Sequence, residues 1–167
     1  MPAAVPGVWG AVMGVDLERC WSVLCPVDVT DAVRWLESSP QSWPVVAANK
    51  PQRIFGIPSQ LATAVQQVCG LFNQPVVVHS PMLSRIVPGT MHAMHRDNQR
   101  SDWLSRIHIP LINNDGCWLS FEEEGSRRVH FEVGNAYTFN TLKRHSFGNE
   151  GESVRIHFLF DVLRKDD

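Results

Sequence analysis

The period of the hydrophobic pattern changes once along the 167-residue chain, near Pro75, and this change constrains the fold more than any other feature. Beyond Pro75, apolar residues recur at every second position in short runs, which predicts β-strands. Turn signals separate these runs at Pro88-Gly89, 113–116, Glu124-Gly125 and Gly134-Asn135. Short strands in this number, with helices only before them, predict a mainly β fold, either an antiparallel barrel or a double-sheet jelly roll.

The first part of the chain carries the period of 3.6 residues that is typical of helices. It predicts one helix over 28–36 and a second over 58–73, with an irregular, proline-rich stretch between them. We therefore expect one domain over residues 1–167. In this domain a helical N-terminal part (1–75) packs outside a β-barrel core (76–162).

Composition and charge argue against several classes of protein. The net charge is −2 and long basic runs are absent, so we expect no nucleic-acid partner. No apolar stretch approaches the roughly 18–20 residues that span a bilayer, and the first 15 residues lack the lysine or arginine of a signal peptide. A cytoplasmic protein without a membrane partner is therefore expected. The cysteines form no C-x-x-C pair, and we expect reduced, buried thiols at Cys20, Cys25, Cys69 and Cys117.

The tripeptide His95-Arg96-Asp97 is the first pattern that indicates chemistry. If it lies on extended chain, His95 and Asp97 point to the same face, because side chains alternate along a strand. His145, just before the last strand-like segment, is the best candidate for a third ligand. Two histidines and one carboxylate form the facial triad of non-haem iron(II) oxygenases, and the same donors can also bind zinc in a hydrolase.

Two arginines near the proposed ligands strengthen this interpretation. Arg155 shares one face of its strand with His157, and Arg106 shares one face of its strand with His108. A single arginine of this kind is usually solvated. Two guanidinium groups on strands close to the proposed ligands, however, suit a dicarboxylate, which is bound by charge-assisted and often bidentate hydrogen bonds.

Three stretches, in this order, resemble the aspartyl/asparaginyl β-hydroxylase family: SRIVPGTMHAMHRD, RIHIPLINNDGCWLSFEEE and GNAYTFNTLKRHSFGNEGESVRIHFLFDV. The resemblance covers about residues 80–162. It implies a double-stranded β-helix, that is, a jelly-roll or cupin-like barrel. It also implies that 2-oxoglutarate and O2 are consumed to hydroxylate an unactivated C–H bond, giving succinate and CO2.

The resemblance further implies roles for individual residues. His95 and His145 are the expected iron(II) ligands, and Asp97 stands where vertebrate protein-modifying members have glycine, so that the triad is complete as in bacterial members. The expected partners of 2-oxoglutarate are Arg155 and Ser84 at its distal carboxylate, with Arg106 and His108 near its other end.

The sequence therefore predicts an Fe(II)- and 2-oxoglutarate-dependent hydroxylase of an aspartyl, asparaginyl or related amino acid, which is free, peptidyl or carrier-bound. A non-catalytic metal- or 2-oxoglutarate-binding sensor module and a zinc-dependent hydrolase are the alternatives. The four expected cosubstrate contacts favour the hydroxylase, since neither alternative requires them. Arg96, Trp103 and Trp118 are further candidates for substrate contact, and the sequence leaves the oligomeric state open.

Overall fold

A computed structural model describes residue 16 and residues 19–165 of the chain. The strands are β1 (Trp21–Pro26), β2 (Gln52–Phe55), β3 (Val76–Ile86), β4 (Met91–His95), β5 (Trp103–Ile112), β6 (Cys117–Phe121), β7 (Arg128–Val129), β8 (Asn135–Phe139), β9 (His145–Asn149) and β10 (Arg155–Arg164). The α-helices are α1 (Thr30–Ser38) and α2 (Ala62–Cys69), and 3-10 turns occur at Ser59–Leu61 and Glu122–Glu124.

The strands form two antiparallel sheets that face each other. The large sheet has the order β1-β8-β5-β10-β3-β2, and the small sheet has the order β4-β9-β6-β7. Phe121 of the small sheet contacts Phe139 of the large one, with 4.8 Å between the ring centroids. This arrangement confirms the predicted mainly β jelly roll with helices outside it. No helix among the described residues is long and apolar enough to cross a membrane.

The alternation along β10 divides the interior into two parts. Ile156, Phe158 and Phe160 belong to the larger apolar core, in which the outer face of the large sheet packs against the two helices. The opposite face of β10 carries Arg155 and His157 and points into the space between the sheets. Next to this space lies a smaller core of buried residues, namely Cys20, Leu119, Phe121, Val129, Phe131, Tyr137 and Phe139.

The N-terminal part over residues 1–75, predicted to be helical with an irregular stretch, also contains two strands that were not predicted. β1 and β2 both lie there and form the two edges of the large sheet. β2 has only four residues and follows a proline-rich stretch, so its pattern is too short to show a period of two. Both predicted helices are present, although α1 begins at Thr30 and α2 ends at Cys69. That residues 1–167 form a single domain stays a prediction.

The predicted turns lie where strands end. Gly89 and Gly125 have φ angles of 81° and 68°, which glycine adopts without the strain that a Cβ would cause. The turn at Gly89 joins β3 to β4 and so carries the chain from the large sheet to the small one. All four cysteines are free thiols, as expected.

Candidate active site

The three predicted metal ligands meet where β4 ends and β9 begins. His95 is the last residue of β4 and lies opposite His145, the first residue of β9, in the antiparallel pairing of these strands. Their ring centroids are 4.3 Å apart. The backbone N–H of Asp97 donates to the carbonyl of Thr141 at 2.9 Å, which extends the pairing beyond β4. Ligand atoms of His95, Asp97 and His145 thus lie within 4.8 Å of one another.

Hydrogen bonds to the backbone orient both histidine rings for metal binding. Nδ1 of His95 lies 2.8 Å from the carbonyl oxygen of Ala93, and Nδ1 of His145 lies 2.8 Å from that of Lys143. A proton on each Nδ1 satisfies these carbonyls and leaves the Nε2 lone pairs available to a cation. Burial lowers the pKa of His145 to about 4, so this imidazole is neutral near pH 7, as metal binding requires.

Arg106, a predicted cosubstrate contact, bonds to two carboxylates. Its Nη1 donates to Oδ2 of Asp97 at 2.7 Å. Its Nε and Nη2 donate to the two oxygens of Asp161, both at 3.0 Å. The indole N–H of Trp103 donates to the same Asp161 at 3.1 Å. Trp103 is therefore part of a buried polar network rather than a side chain free to contact substrate.

Arg155 is buried without an anionic partner. Its side chain is 2% exposed, and within the part of the chain that the structure describes its Nε and Nη1 have no hydrogen-bond partner. Its guanidinium carbon lies 5.5 Å from the ring of Phe147, which also stacks on His92 and contacts His95. Burial lowers the pKa of Arg155 to about 10, because a charge in this position has lost its water. A buried guanidinium of this kind has donors free to bond to an anion.

Ser84 and His108 lie on the same inner face of the large sheet. Ser84 on β3 is the cross-strand neighbour of His157 on β10, and both are buried. His108 on β5 approaches His157, with 3.3 Å between their Nδ1 atoms. His108 and His145 both contact the ring of Phe139, with centroids 4.7 Å and 4.9 Å away. The predicted cosubstrate face therefore adjoins the predicted metal ligands.

His157 is the residue of this face to which sequence reasoning gave no definite role. It is completely buried, and within the described residues its Nε2 has no hydrogen-bond partner. Burial, and then the charge of Arg155, holds the pKa of His157 well below its usual value, so that the ring is neutral. The sequence feature that could have identified His157 is its spacing of two residues from Arg155, which places both side chains on one face of the strand.

The other two candidates for substrate contact lie in different surroundings. Trp118 points to the outer side of the small sheet, where its indole packs on Gly148 and the guanidinium of Arg128 lies 4.3 Å from the ring. Within the described chain the buried indole N–H of Trp118 has no partner. Arg96, between the two ligands His95 and Asp97, is exposed.

Basic side chains lie near the His92 end of the site, which we take as its entrance. Arg53 on the edge strand β2 is exposed and is the cross-strand neighbour of Ser84, so both face the same side of the sheet. Burial, then His95, then the charges of Lys50 and Arg53 lower the pKa of His92, which indicates that both cations act on this end of the site. Sequence reasoning missed Lys50 and Arg53, because only the pairing of β2 with β3 brings them here.

Comparisons with known proteins agree with this architecture. A Burkholderia pseudomallei oxidoreductase of the 2OG-Fe(II) oxygenase family is 13% identical, with a TM-score of 0.68 over 98% of this chain and 93% of that one. A Pseudomonas putida prolyl-4-hydroxylase is 15% identical, with a TM-score of 0.68 over 95% and 100%. A viral collagen prolyl hydroxylase from Paramecium bursaria Chlorella virus-1, solved with 2OG, is 9% identical, with a TM-score of 0.64 over 92% and 100%. At these identities the likeness concerns the fold.

No curated protein matches the sequence. The sequence model of the aspartyl/asparaginyl beta-hydroxylase family, however, matches residues 52–165, which is more than half of the chain and includes every predicted site residue. The chain therefore belongs to the aspartyl/asparaginyl β-hydroxylase family of iron(II)- and 2-oxoglutarate-dependent oxygenases.

Proposed function

We propose that this protein hydroxylates an amino-acid residue, of the aspartyl, asparaginyl or a related type, with Fe(II), 2-oxoglutarate and O2, and that it releases succinate and CO2. The observation that carries the proposal is the guanidinium of Arg155. It is buried against Phe147, whose ring also contacts His95, and two of its nitrogens have no partner within the described residues. An anion would stabilise a buried cation of this kind, and 2-oxoglutarate carries a carboxylate at each end.

His95, Asp97 and His145 would hold the iron, and the donor set fits this metal. Two imidazoles and one carboxylate would leave other coordination positions of the ion open. When bound, iron and 2-oxoglutarate together supply the oxidising power that O2 alone lacks at an unactivated C–H bond. The same ligands could bind zinc, but a zinc hydrolase has no use for a buried anion site.

The inner face of the large sheet would hold the cosubstrate. Arg155 and the hydroxyl of Ser84 would bind its distal carboxylate, and neutral His108 lies between this position and the metal ligands. Phe131 and Phe139 pack around the ring of His108 and keep water from that end of the site. The protein's own contributions are thus orientation of the cosubstrate and exclusion of solvent.

The entrance favours a substrate with a negative charge. Lys50 and Arg53 are exposed cations on or next to the edge strand β2. A carboxylate held by them would approach the metal ligands from the side of His92, so an aspartyl group is preferred to an asparaginyl or prolyl group. An edge strand also leaves room for a peptide or a carrier-bound residue.

The decisive experiment is anaerobic addition of Fe(II) and 2-oxoglutarate to the purified protein. A weak visible charge-transfer band should form with the wild type and be lost in Asp97→Ala and Arg155→Met. The matched control is Arg85→Met, at an arginine that bonds to Gln52 away from the site. Absence of the band together with tight zinc binding would instead support the hydrolase.

Succinate release then tests turnover and substrate class. It is measured with free, peptidyl and carrier-bound aspartate, asparagine and proline. We expect an acidic substrate to give the highest rate, and charge reversal of Lys50 and Arg53 to raise KM for that substrate more than for neutral ones. A normal charge-transfer band without turnover on any member of the panel would favour the sensor module.

A further inference from the structure

We propose that Arg106 is a positioning residue that orients the carboxylate of Asp97 for metal binding, and that Asp161 and Trp103 hold Arg106 in place. The inference rests on the proposed function, because it takes Asp97 to be a metal ligand. It differs from the expectation that Arg106 contacts the cosubstrate. The contacts that distinguish the two roles are those of the three guanidinium nitrogens.

The guanidinium of Arg106 has one orientation that satisfies all its contacts. Nε and Nη2 lie along one edge of the planar group and make two parallel bonds to Asp161, each 3.0 Å long. Nη1 is then directed to Oδ2 of Asp97, 2.7 Å away. Rotation of the group would break the two-bond pair with Asp161. The direction of the third donor is therefore determined by Asp161.

Asp161 is held in position because its strand, β10, lies in the centre of the large sheet. It lies on β10 directly opposite Arg106 on β5, and β10 also pairs with β3 on its other side. Its carboxylate is buried and accepts a further bond from the indole N–H of Trp103 at 3.1 Å. A chain of hydrogen bonds thus runs from Trp103 through Asp161 and Arg106 to Asp97.

Asp97 needs such support because it lies outside regular structure. β4 ends at His95, and among the described residues the backbone pairing continues only through the bond from the N–H of Asp97 to the carbonyl of Thr141. With Oδ2 bonded to Arg106, the other oxygen, Oδ1, lies 3.5 Å from Nε2 of His95. One carboxylate oxygen is thus available to the metal and the other is occupied, which favours ligation through a single oxygen.

The two possible roles of Arg106 predict different losses on substitution. If Arg106 orients Asp97, its replacement weakens metal binding even when no 2-oxoglutarate is present. If Arg106 binds the cosubstrate, metal binding alone is unchanged, and 2-oxoglutarate binds more weakly to the metal-saturated protein. Titration with Co(II) separates these cases, because its visible absorption reports both affinity and coordination geometry.

The test uses Arg106→Lys, which keeps the positive charge but cannot reach both carboxylates with a planar fork. We expect Co(II) affinity without 2-oxoglutarate to fall about 10- to 100-fold, as is usual when a partner of a metal ligand is removed. The Co(II) spectrum should change, and 2-oxoglutarate affinity at saturating Co(II) should change less than about twofold. Arg85→Lys, on β3 and bonded to Gln52 away from the site, is the control and should match the wild type. Unchanged Co(II) affinity with weakened 2-oxoglutarate binding would overturn the proposal.

Two further variants cover the case in which Arg106→Lys does not fold. Asp161→Asn keeps the side-chain shape but loses the charge and one acceptor for Arg106, and Trp103→Phe removes a single hydrogen bond. Both should weaken Co(II) binding, Asp161→Asn more than Trp103→Phe, and normal affinity in both refutes the proposal. Asp97→Ala separates this failure from that of the proposed function. If Asp97→Ala binds Co(II) as tightly as the wild type does, Asp97 is not a metal ligand and the proposed metal site is refuted.

Discussion

Replacement of Arg155 by methionine should stabilise the ligand-free protein and abolish its response to 2-oxoglutarate. The buried guanidinium lacks partners for Nε and Nη1 among the described residues, and burial lowers its pKa from its ordinary value to about 10. Since one pKa unit corresponds to about 1.4 kcal/mol, the charged form is disfavoured there by roughly 3 kcal/mol. Methionine is uncharged and fills part of the same volume, so this unfavourable contribution disappears.

The cavity left by the shorter side chain offsets part of the gain. We expect the free energy of unfolding of the ligand-free protein to rise by about 1–2 kcal/mol. For a domain of this size, that change corresponds to an increase in Tm of roughly 2–8 °C. An ordinary buried residue behaves in the opposite way, because its truncation lowers stability.

Thermal unfolding with Mn(II), with and without 2-oxoglutarate, measures both effects. At a concentration about 100 times its Kd, 2-oxoglutarate should stabilise the wild type by about 2.7 kcal/mol and leave Arg155→Met unchanged. Arg85→Met is the matched control and should show the full response to 2-oxoglutarate. The reasoning is refuted if Arg155→Met is less stable than the wild type by more than about 1 kcal/mol, or if it still responds to 2-oxoglutarate.

Three other predictions follow from the same structure. Ser84→Ala should weaken 2-oxoglutarate binding about 10-fold, the loss of one hydrogen bond to a charged group; calorimetry with the metal-loaded protein measures it, and an unchanged Kd contradicts it. Burial holds the pKa of His108 and His157 well below 6.5 in the folded protein. Both rings are neutral in the folded and the unfolded chain above about pH 6.5, so they do not lower the free energy of unfolding there. Below about pH 6.5 only the unfolded chain takes up the protons, and the free energy of unfolding falls by up to about 1.4 kcal/mol per pH unit for each histidine. Urea unfolding between pH 7 and pH 5 should show this loss, and His157→Gln should have a smaller slope. Gly116→Ala would place a Cβ in steric conflict with the backbone nitrogen of Gly151, so we expect at least about 2 kcal/mol of destabilisation in urea. An unchanged urea midpoint would contradict this close approach.

Much of the site was predictable because its residues occur in patterns with a period of two. The spacing of His95 and Asp97 predicted that their side chains point to the same face of the extended chain. In the structure both side chains lie close to His145. Alternation along β10 likewise separated Arg155 and His157 from the apolar core residues of the same strand. Patterns of this kind are local, and a strand in a jelly roll preserves them.

Contacts that depend on how distant strands pair could not be predicted. The bond between Arg106 and Asp161 requires β5 and β10 to pair with these two residues opposite each other, and they are 55 positions apart. The position of Arg53 beside Ser84 similarly requires β2 to join the edge of the sheet. Hydrophobic alternation determines which face a residue occupies, but it does not determine its cross-strand neighbour.

The burial of β10 on both faces has a consequence for how proteins of this kind diversify. From Arg155 to Leu163 every residue is buried, with the main core on one face and the proposed cosubstrate site on the other. Natural selection for a stable fold and selection for use of the cosubstrate therefore act on the same few side chains, and few substitutions satisfy both. The exposed positions of β2 escape this double constraint. If the substrate binds along β2 as proposed, a lineage can acquire new substrates by mutation at that edge while the oxidative chemistry is inherited unchanged.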